Sequence, residues 1–332
     1  MKIRVPEYFK SFSCIADKCQ DSCCIGWGID IDEITAQKYA TLKCEIGAEI
    51  AEKTKHGCFD TDKNGRCAFL DDKGLCRIIS TLGEGYLCDI CREHPRYYGA
   101  GHNTVEGGLG LCCEEAARMI LSLDKKPDFV TMEKDVCYDV EDEYESFTDS
   151  MREYLYEVIY SSNVDTLPCY FMEYAKFADD ACFDLASGIT DNIAPIPKIT
   201  LIPCGEKLVE LLRCGIKIFR KCELLDDRFG DRLSEIGDDG YESLSSLLCE
   251  HEMELRNLLF YFTHRHVREC IDDMTFGQRV LFALLASITV ILLSKGYACD
   301  DKLVRSAVDF SKNIEYSTDN QGLIFDALSE NL

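Results

Sequence analysis

Apolar residues recur at three- and four-residue spacing through most of the second half of the chain. Residues 147–160, 170–185, 206–225, 244–270, 276–293 and 303–313 all carry that period, which predicts helices with a buried face. Pro168, the segment 195–203 and the Gly237-Asp238-Asp239-Gly240 turn punctuate them. The first 137 residues read differently. Turn signals are dense there, in Asn64-Gly65, Lys73-Gly74, Gly83-Glu84-Gly85, Gly99-Ala100-Gly101 and Gly107-Gly108. Ile29-Asp30-Ile31-Asp32 alternates as a short strand does, and Asp32 is placed to cap a helix over residues 32–42. Residues 66–70 and 75–79 pattern as a small hairpin around Asp71-Asp72-Lys73-Gly74, and residues 114–121 as a helix. No internal repeat or low-complexity tract stands out. The expected fold class is mainly α, with an irregular cysteine-rich α+β metal-binding module at the N-terminus. A Rossmann sheet is not expected, because no strand leads into a G-x-G-x-x-G turn.

Charge and cysteine divide the chain in opposite senses. Residues 1–137 hold 18 basic and 23 acidic side chains, and the remainder 18 and 37. Two domains follow, a cysteine module over 1–137 and an acidic helical body over 138–332, with the seam at Asp139-Val140-Glu141-Asp142-Glu143. The net charge of −24 excludes a nucleic-acid binder, which needs a basic face to displace counterions, and an anionic membrane surface as partner. Pro6, Glu7 and Lys10 interrupt any signal-peptide core. The longest apolar run, residues 280–293, suits a buried helix and falls short of a bilayer. A cytoplasmic location is therefore expected, where thiols stay reduced and clustered cysteines bind metal more often than they pair.

Thirteen of the 21 cysteines lie in residues 1–137. Cys14-Ile15-Ala16-Asp17-Lys18-Cys19-Gln20-Asp21-Ser22-Cys23-Cys24 places four thiols within eleven residues, and soft thiolates at such range select zinc or an iron–sulfur cluster. Adjacent side chains point to opposite faces of an extended chain. Cys23 and Cys24 thus serve two sites, or one of them is a packing or redox thiol. Further thiols follow at Cys67, Cys76, Cys88, Cys91, Cys112 and Cys113, whereas Cys44, Cys58, Cys137 and the eight later cysteines read as small buried hydrophobes.

These residues resemble the opening of the flagellin lysine-N-methylase family, part of a wider cysteine-rich, zinc- or iron-chelating group. The resemblance runs over residues 8–121. It passes through Tyr8-Phe9, the Cys14–Cys24 cluster with Gly26-Trp27 and Ile29-Asp30-Ile31-Asp32, and Gly65-Arg66-Cys67-Ala68-Phe69-Leu70. It continues through Leu75-Cys76-Arg77-Ile78, Gly83-Glu84-Gly85-Tyr86-Leu87, Cys91-Arg92 with Pro95-Arg96, and Glu115-Ala116-Ala117-Arg118. It implies methyl transfer from S-adenosylmethionine to lysines of a protein substrate such as flagellin, with a 4Fe–4S cluster or, alternatively, zinc. The shared thiols are Cys14, Cys19, Cys23, Cys24, Cys67, Cys76, Cys91 and Cys113: two four-ligand sites, or one cluster with spare thiols. Extra thiols at Cys88 and Cys112, and Glu114 where a proline is usual, depart from the family pattern.

The chemistry asks for an unprotonated amine held in line with a sulfonium methyl. Asp30 and Asp32, beside the thiols, are candidates to orient the amine, or Asp32 only caps its helix. Trp27 stacks on adenine or shields the cluster, or packs in the core. Arg92 and Arg96 bind the cosubstrate carboxylate, or pair with acidic neighbours. The radical-type C-x3-C-x2-C spacing is absent, since Cys24 follows Cys23 at once, so polar transfer is expected. His264 and His266, at i and i+2 of a helix, face different directions and are expected at the surface or an interface. Acidic side chains attract a cationic lysine and sulfonium, or simply solvate a helical surface. The competing functions are a non-catalytic zinc or iron module that offers a platform to a partner, and a redox sensor using Cys88-x2-Cys91.

Overall fold

The computed structural model describes residues 2–101, 104–133, 143–187, 199, 204–270 and 274–330. Most of the expected acidic seam, most of the 195–203 segment and Cys137 lie outside the described residues. The described chain is mainly helical, and none of its sheets is Rossmann-like. It divides into two compact units, one of residues 1–11, 98–108 and 117–332, the other of residues 12–97 and 109–116.

The larger unit is organised around the helix Phe276–Ser294, every residue of which is buried. The helix is long and apolar enough to cross a membrane by length and composition, extending past the 14-residue apolar run to Phe276 and Ser294, and it is buried throughout, as the run suggests. Apolar side chains all round a helix require neighbours on every side. The helices Leu167–Ala186, Glu252–His266 and Lys302–Phe310 pack against it. Gly215, in the helix Gly205–Phe219, lets Leu285 approach: a Cβ there would lie 2.9 Å from a Leu285 methyl. Arg279 is tolerated inside because its guanidinium donates to the His266 carbonyl at 2.9 Å and lies over the Phe325 ring. A four-stranded mixed sheet also belongs to this unit. Lys2–Pro6 pairs parallel with Thr104–Leu109 and antiparallel with Phe129–Glu133, with Arg96–Gly101 at the far edge.

Several helical expectations are corrected at their ends. The predicted 244–270 helix is broken at His251 into Leu244–Glu250 and Glu252–His266. The predicted 206–225 helix stops at Phe219, and Lys302–Phe310 passes into a π-helical turn, Ser311–Glu315. Cys169 and Cys204 form a disulfide with Cα atoms 5.5 Å apart, inside bonding range, against the expectation of reduced thiols. His264 and His266 are 2% and 1% exposed and not at the surface. They do face different partners: His264 meets Tyr156 Oη and the Gly107 carbonyl, and His266 meets Glu315 at 2.7 Å.

The smaller unit is built from turns and short helices. Its core is Ile29, Tyr39, Ile46, Ile50, Phe59, Phe69 and Ile78, with Cys67 and Cys88 among them. Asp32 caps the helix Glu33–Ala40 by accepting from the Thr35 amide at 2.9 Å. The expected 66–70/75–79 hairpin reduces to one bridge, Leu70 to Cys76, because the second arm is the helix Arg77–Leu82. The Ile29–Asp32 strand likewise reduces to a single bridge from Asp30 to Cys58.

Candidate functional site

Two groups of thiols occupy the smaller unit, and Cys23 and Cys24 divide between them. The first combines Cys14, Cys19 and Cys23 with Cys113. Glu114, the first residue of the helix Glu114–Leu121, is the clamp. Its Oε2 accepts from the Gln20 amide at 2.7 Å and the Asp21 amide at 3.2 Å, and lies 3.5 Å from Cys19 Sγ. Cys113 thereby meets a segment more than ninety residues earlier. Its sulfur accepts from the Ala116 and Glu115 amides and interacts electrostatically with Cys14, Cys19 and Cys23. Cys14 is exposed, so this group has an open side. Burial, above all, pushes Cys19 up to about 12.

The second group is more sheltered, with Cys67 buried and Cys24, Cys76 and Cys91 half-buried. Cys24, Cys67, Cys76 and Cys91 line a cavity of about 20 Å³ whose other walls are apolar, among them Ile29, Phe59, Phe69 and Ile78. Burial first, then neighbouring thiols, push Cys67 up to about 11. The Cys23 and Cys24 side chains hydrogen-bond to each other. That bond is the main reason the Cys24 thiol falls to about 7 while Cys23 rises. Cys88, fully buried, bonds in the same way to Cys91.

Cys67 and Cys76 arrive by the same device. Asp62 Oδ1 accepts from the amides two and four residues on, at 2.7 and 3.0 Å, and Gly65 follows at φ 72°. Asp71 Oδ1 does likewise at 2.9 Å to both amides, with Gly74 at φ 78°. Each carboxylate stabilises a tight turn that only glycine closes without strain. The signal is Asp-x-x-Gly-x-Cys, written twice at nine-residue spacing, a short repeat that the search for longer periods passes over.

The other expected site residues are placed as follows. The Trp27 indole donates to the Cys23 carbonyl at 2.6 Å and meets His94 edge-on. Asp30 accepts from Cys58 Sγ at 2.8 Å. Asp32 spends one oxygen on its cap and the other on the Asp89 amide at 2.9 Å, which ties it to the short helix bearing Cys91. Arg92 pairs with Asp89 and Glu93, and the Arg96 guanidinium lies 5.1 Å from the Phe12 ring centroid. Cys112 is fully buried.

Among the described residues, no three His, Cys, Asp or Glu side chains converge as they stand on a common ion position. The donor chemistry nonetheless fits iron or zinc, since all eight side chains are soft sulfur donors. At neutral pH Cys19 and Cys67 keep their protons, so a metal binding there must displace them.

No family model matches the chain, and no solved structure matches it. Curated relatives do. A flagellar biosynthetic protein FliU of Salmonella muenchen is 33% identical over 127 residues, covering 35% of this chain and 75% of that protein. The chain belongs to the flagellin lysine-N-methylase family. Two longer members, the lysine-N-methylases of Salmonella typhimurium and Salmonella choleraesuis, are also 33% identical over 127 residues. The match spans about a third of their length, 32%. Family members thus share with this chain a segment about the size of its cysteine-rich part.

Proposed function

We propose that this chain is a protein-lysine N-methyltransferase that draws its methyl group from S-adenosylmethionine, with Cys14, Cys19, Cys23 and Cys113 holding an iron–sulfur cluster. The observation that carries the reading is the match to FliU across three quarters of that protein, together with the lysine-N-methylase names of the longer relatives. The acceptor is an exposed lysine of a flagellar protein, with flagellin the first to test, and the setting is cytoplasmic.

In this reaction the amine nitrogen forms a bond to the methyl carbon as the sulfonium S–C bond breaks. S-adenosylhomocysteine leaves, and the proton on nitrogen passes to solvent. A lysine with a pKa of about 10.4 must first lose its other proton, to a base or by desolvation. Cys14, Cys19, Cys23 and Cys113 would hold the cluster, which would supply Lewis-acid anchoring for the cosubstrate if one of its irons were left to an exchangeable ligand. The chain itself fixes the ligand segment. Glu114 holds the Gln20 and Asp21 amides, and Trp27 holds the Cys23 carbonyl. The net charge of −24 draws in both cationic reactants, so salt should raise KM more than it lowers kcat.

The test is anaerobic purification with iron and sulfide quantified, a visible spectrum with and without S-adenosylmethionine, and mass spectrometry of flagellin lysines after incubation. Iron and sulfide in near-equal amounts, a spectrum that moves with the cosubstrate, and methyllysine formation are expected. A colourless protein that transfers no methyl group overturns the reading.

A further inference from the structure

We propose that a cavity at the C-terminal end of the buried helix Phe276–Ser294 binds a free α-amino acid with an apolar side chain. The site lies wholly within the larger unit and does not rest on the methyl-transfer reading.

Three observations carry it. The first is room. The cavity holds about 330 Å³, at the lower end of the range for small-molecule sites. Gly240, in the short helix Asp238–Glu242, keeps it open. A Cβ there would project between two of the lining side chains, 3.7 Å from Leu292 and 3.8 Å from Ile236.

The second is the chemistry of the walls. Ile236, Leu292 and Leu293 supply apolar surface, Arg232 and Lys295 supply cations, and Glu235 supplies a carboxylate. Lys295 Nζ donates to Ser243 Oγ at 3.0 Å, and the Arg232 guanidinium donates to Asp309 at 3.4 Å and lies over the Tyr297 ring. Each has further N–H groups to give. Arg232 and Glu235 are three residues apart on the helix Asp227–Glu235, hence on one face of it, yet Arg232 pairs with Asp309 instead. Glu235 is exposed and has no partner among the described residues. Opposite charges one helical turn apart suit a compact zwitterion. A simple carboxylate would meet Glu235 and a net charge of −24, and a simple amine would meet Arg232 and Lys295.

The third is the backbone field. Asp227–Glu235 and Phe276–Ser294 both end at the cavity, and the C-terminal ends of helices favour a positive group. The ligand's ammonium then faces Glu235, its carboxylate faces Arg232 and Lys295, and its side chain rests on the two leucines.

The test is calorimetric titration and thermal unfolding of the full chain with leucine, methionine and phenylalanine. Two leucine analogues accompany them, isocaproate without the ammonium and isoamylamine without the carboxylate. Saturable binding of at least one amino acid at one per chain, with a raised Tm, is expected, and each analogue should bind about tenfold more weakly than leucine. Gly240→Leu fills the cavity and should abolish binding while the ligand-free Tm holds. Glu235→Gln should weaken leucine about tenfold and leave isocaproate no weaker. Should Gly240→Leu fail to fold, Glu235→Gln and Lys295→Gln, both at exposed positions, decide. No saturable binding at millimolar concentration overturns the proposal. So does binding that survives the filled cavity or both charge variants, and so does an analogue that binds as tightly as leucine. Displacement of leucine by S-adenosylmethionine would make the cavity the cosubstrate's own and overturn it as a separate site.

Discussion

The two units solve the same problem by opposite means. The helical unit wraps helices around one that is buried along its whole length, Phe276–Ser294. The cysteine unit has no helix longer than the eight residues of Glu33–Ala40 and Glu45–Glu52 within it, and a core of few large side chains. Helices that short are marginal without tertiary support, so cohesion there rests on the small apolar core, the capped turns and, if the proposed ligation holds, the thiols. The difference teaches that candidate ligand and core coincide in the cysteine unit, where Cys67 sits among its apolar side chains. Among the described residues of the helical unit no cysteine is a candidate ligand, so damage to either unit should have a distinct signature.

Chelation gives the largest contrast. A structural zinc contributes on the order of 10 kcal/mol to small domains of this kind. Stripping metal from the full chain should open residues 12–97 to protease while the Phe276–Ser294 helix and its neighbours stay resistant. Equal resistance of both units before and after chelation would count against ligation as the source of cohesion. The converse change is Phe282→Ala. Phe282 is fully buried and meets the rings of Phe219, Phe262, His266 and Phe325. Its truncation should cost about 3–5 kcal/mol, seen as a lower Tm, with metal content unchanged.

Acid should act on the helical unit next. Glu106 is held at about 2: burial alone raises a carboxyl, but Arg152 at 2.7 Å and Arg4 at 2.6 Å outweigh it. His264 is lowered to about 4, chiefly because burial disfavours the imidazolium. In both cases the unfolded chain binds the proton more readily than the fold does, so stability falls with pH. The loss through His264 runs from about pH 6.5 to 4, and that through Glu106 from about pH 4.5 to 2. Each is on the order of 3 kcal/mol, and as neighbours they will not add fully. Circular dichroism against pH reads the loss. His264→Gln should flatten the upper half of the curve, and an unchanged curve would remove His264 from the account.

The helical unit was the more legible of the two in the sequence because its order is local. Period alone finds the helices Leu167–Ala186 and Phe276–Ser294 nearly to the residue. It misses Asp227–Glu235 and Thr318–Ser329, which are short and announced by their caps, Asp226 and Ser317. The same reading put His264 at the surface or an interface, because a helix buried on both faces shows no polar side to contradict it. In the cysteine unit Asp32's cap and the helix Glu114–Leu121 could be read. The division of the thiols could not. It depends on Glu114 bringing Cys113 back to Cys14 and Cys19, a closure with no local pattern. Nor does period foretell the strand Lys2–Pro6 lying between Thr104–Leu109 and Phe129–Glu133.

The smallest effect concerns Asp32, where a structural carboxylate and a chemical one make different predictions. One oxygen caps Glu33–Ala40, and the other accepts from the Asp89 amide at the start of the helix carrying Cys91. Asp32→Ala should therefore cost about 1 kcal/mol as a lost cap and loosen Cys91. Asn caps a helix as well as Asp does but offers one acceptor oxygen in place of two, so Asp32→Asn should recover the cap, forfeit the bond to the Asp89 amide and restore the Tm in part. A carboxylate that orients the methyl acceptor cannot be replaced in that way. If Asp32→Asn regains that part of the Tm and keeps its metal but loses methyl transfer, the residue belongs to the chemistry. If stability, metal and transfer return together, its work is to join two short helices around a thiol, which is how the cysteine unit is built throughout.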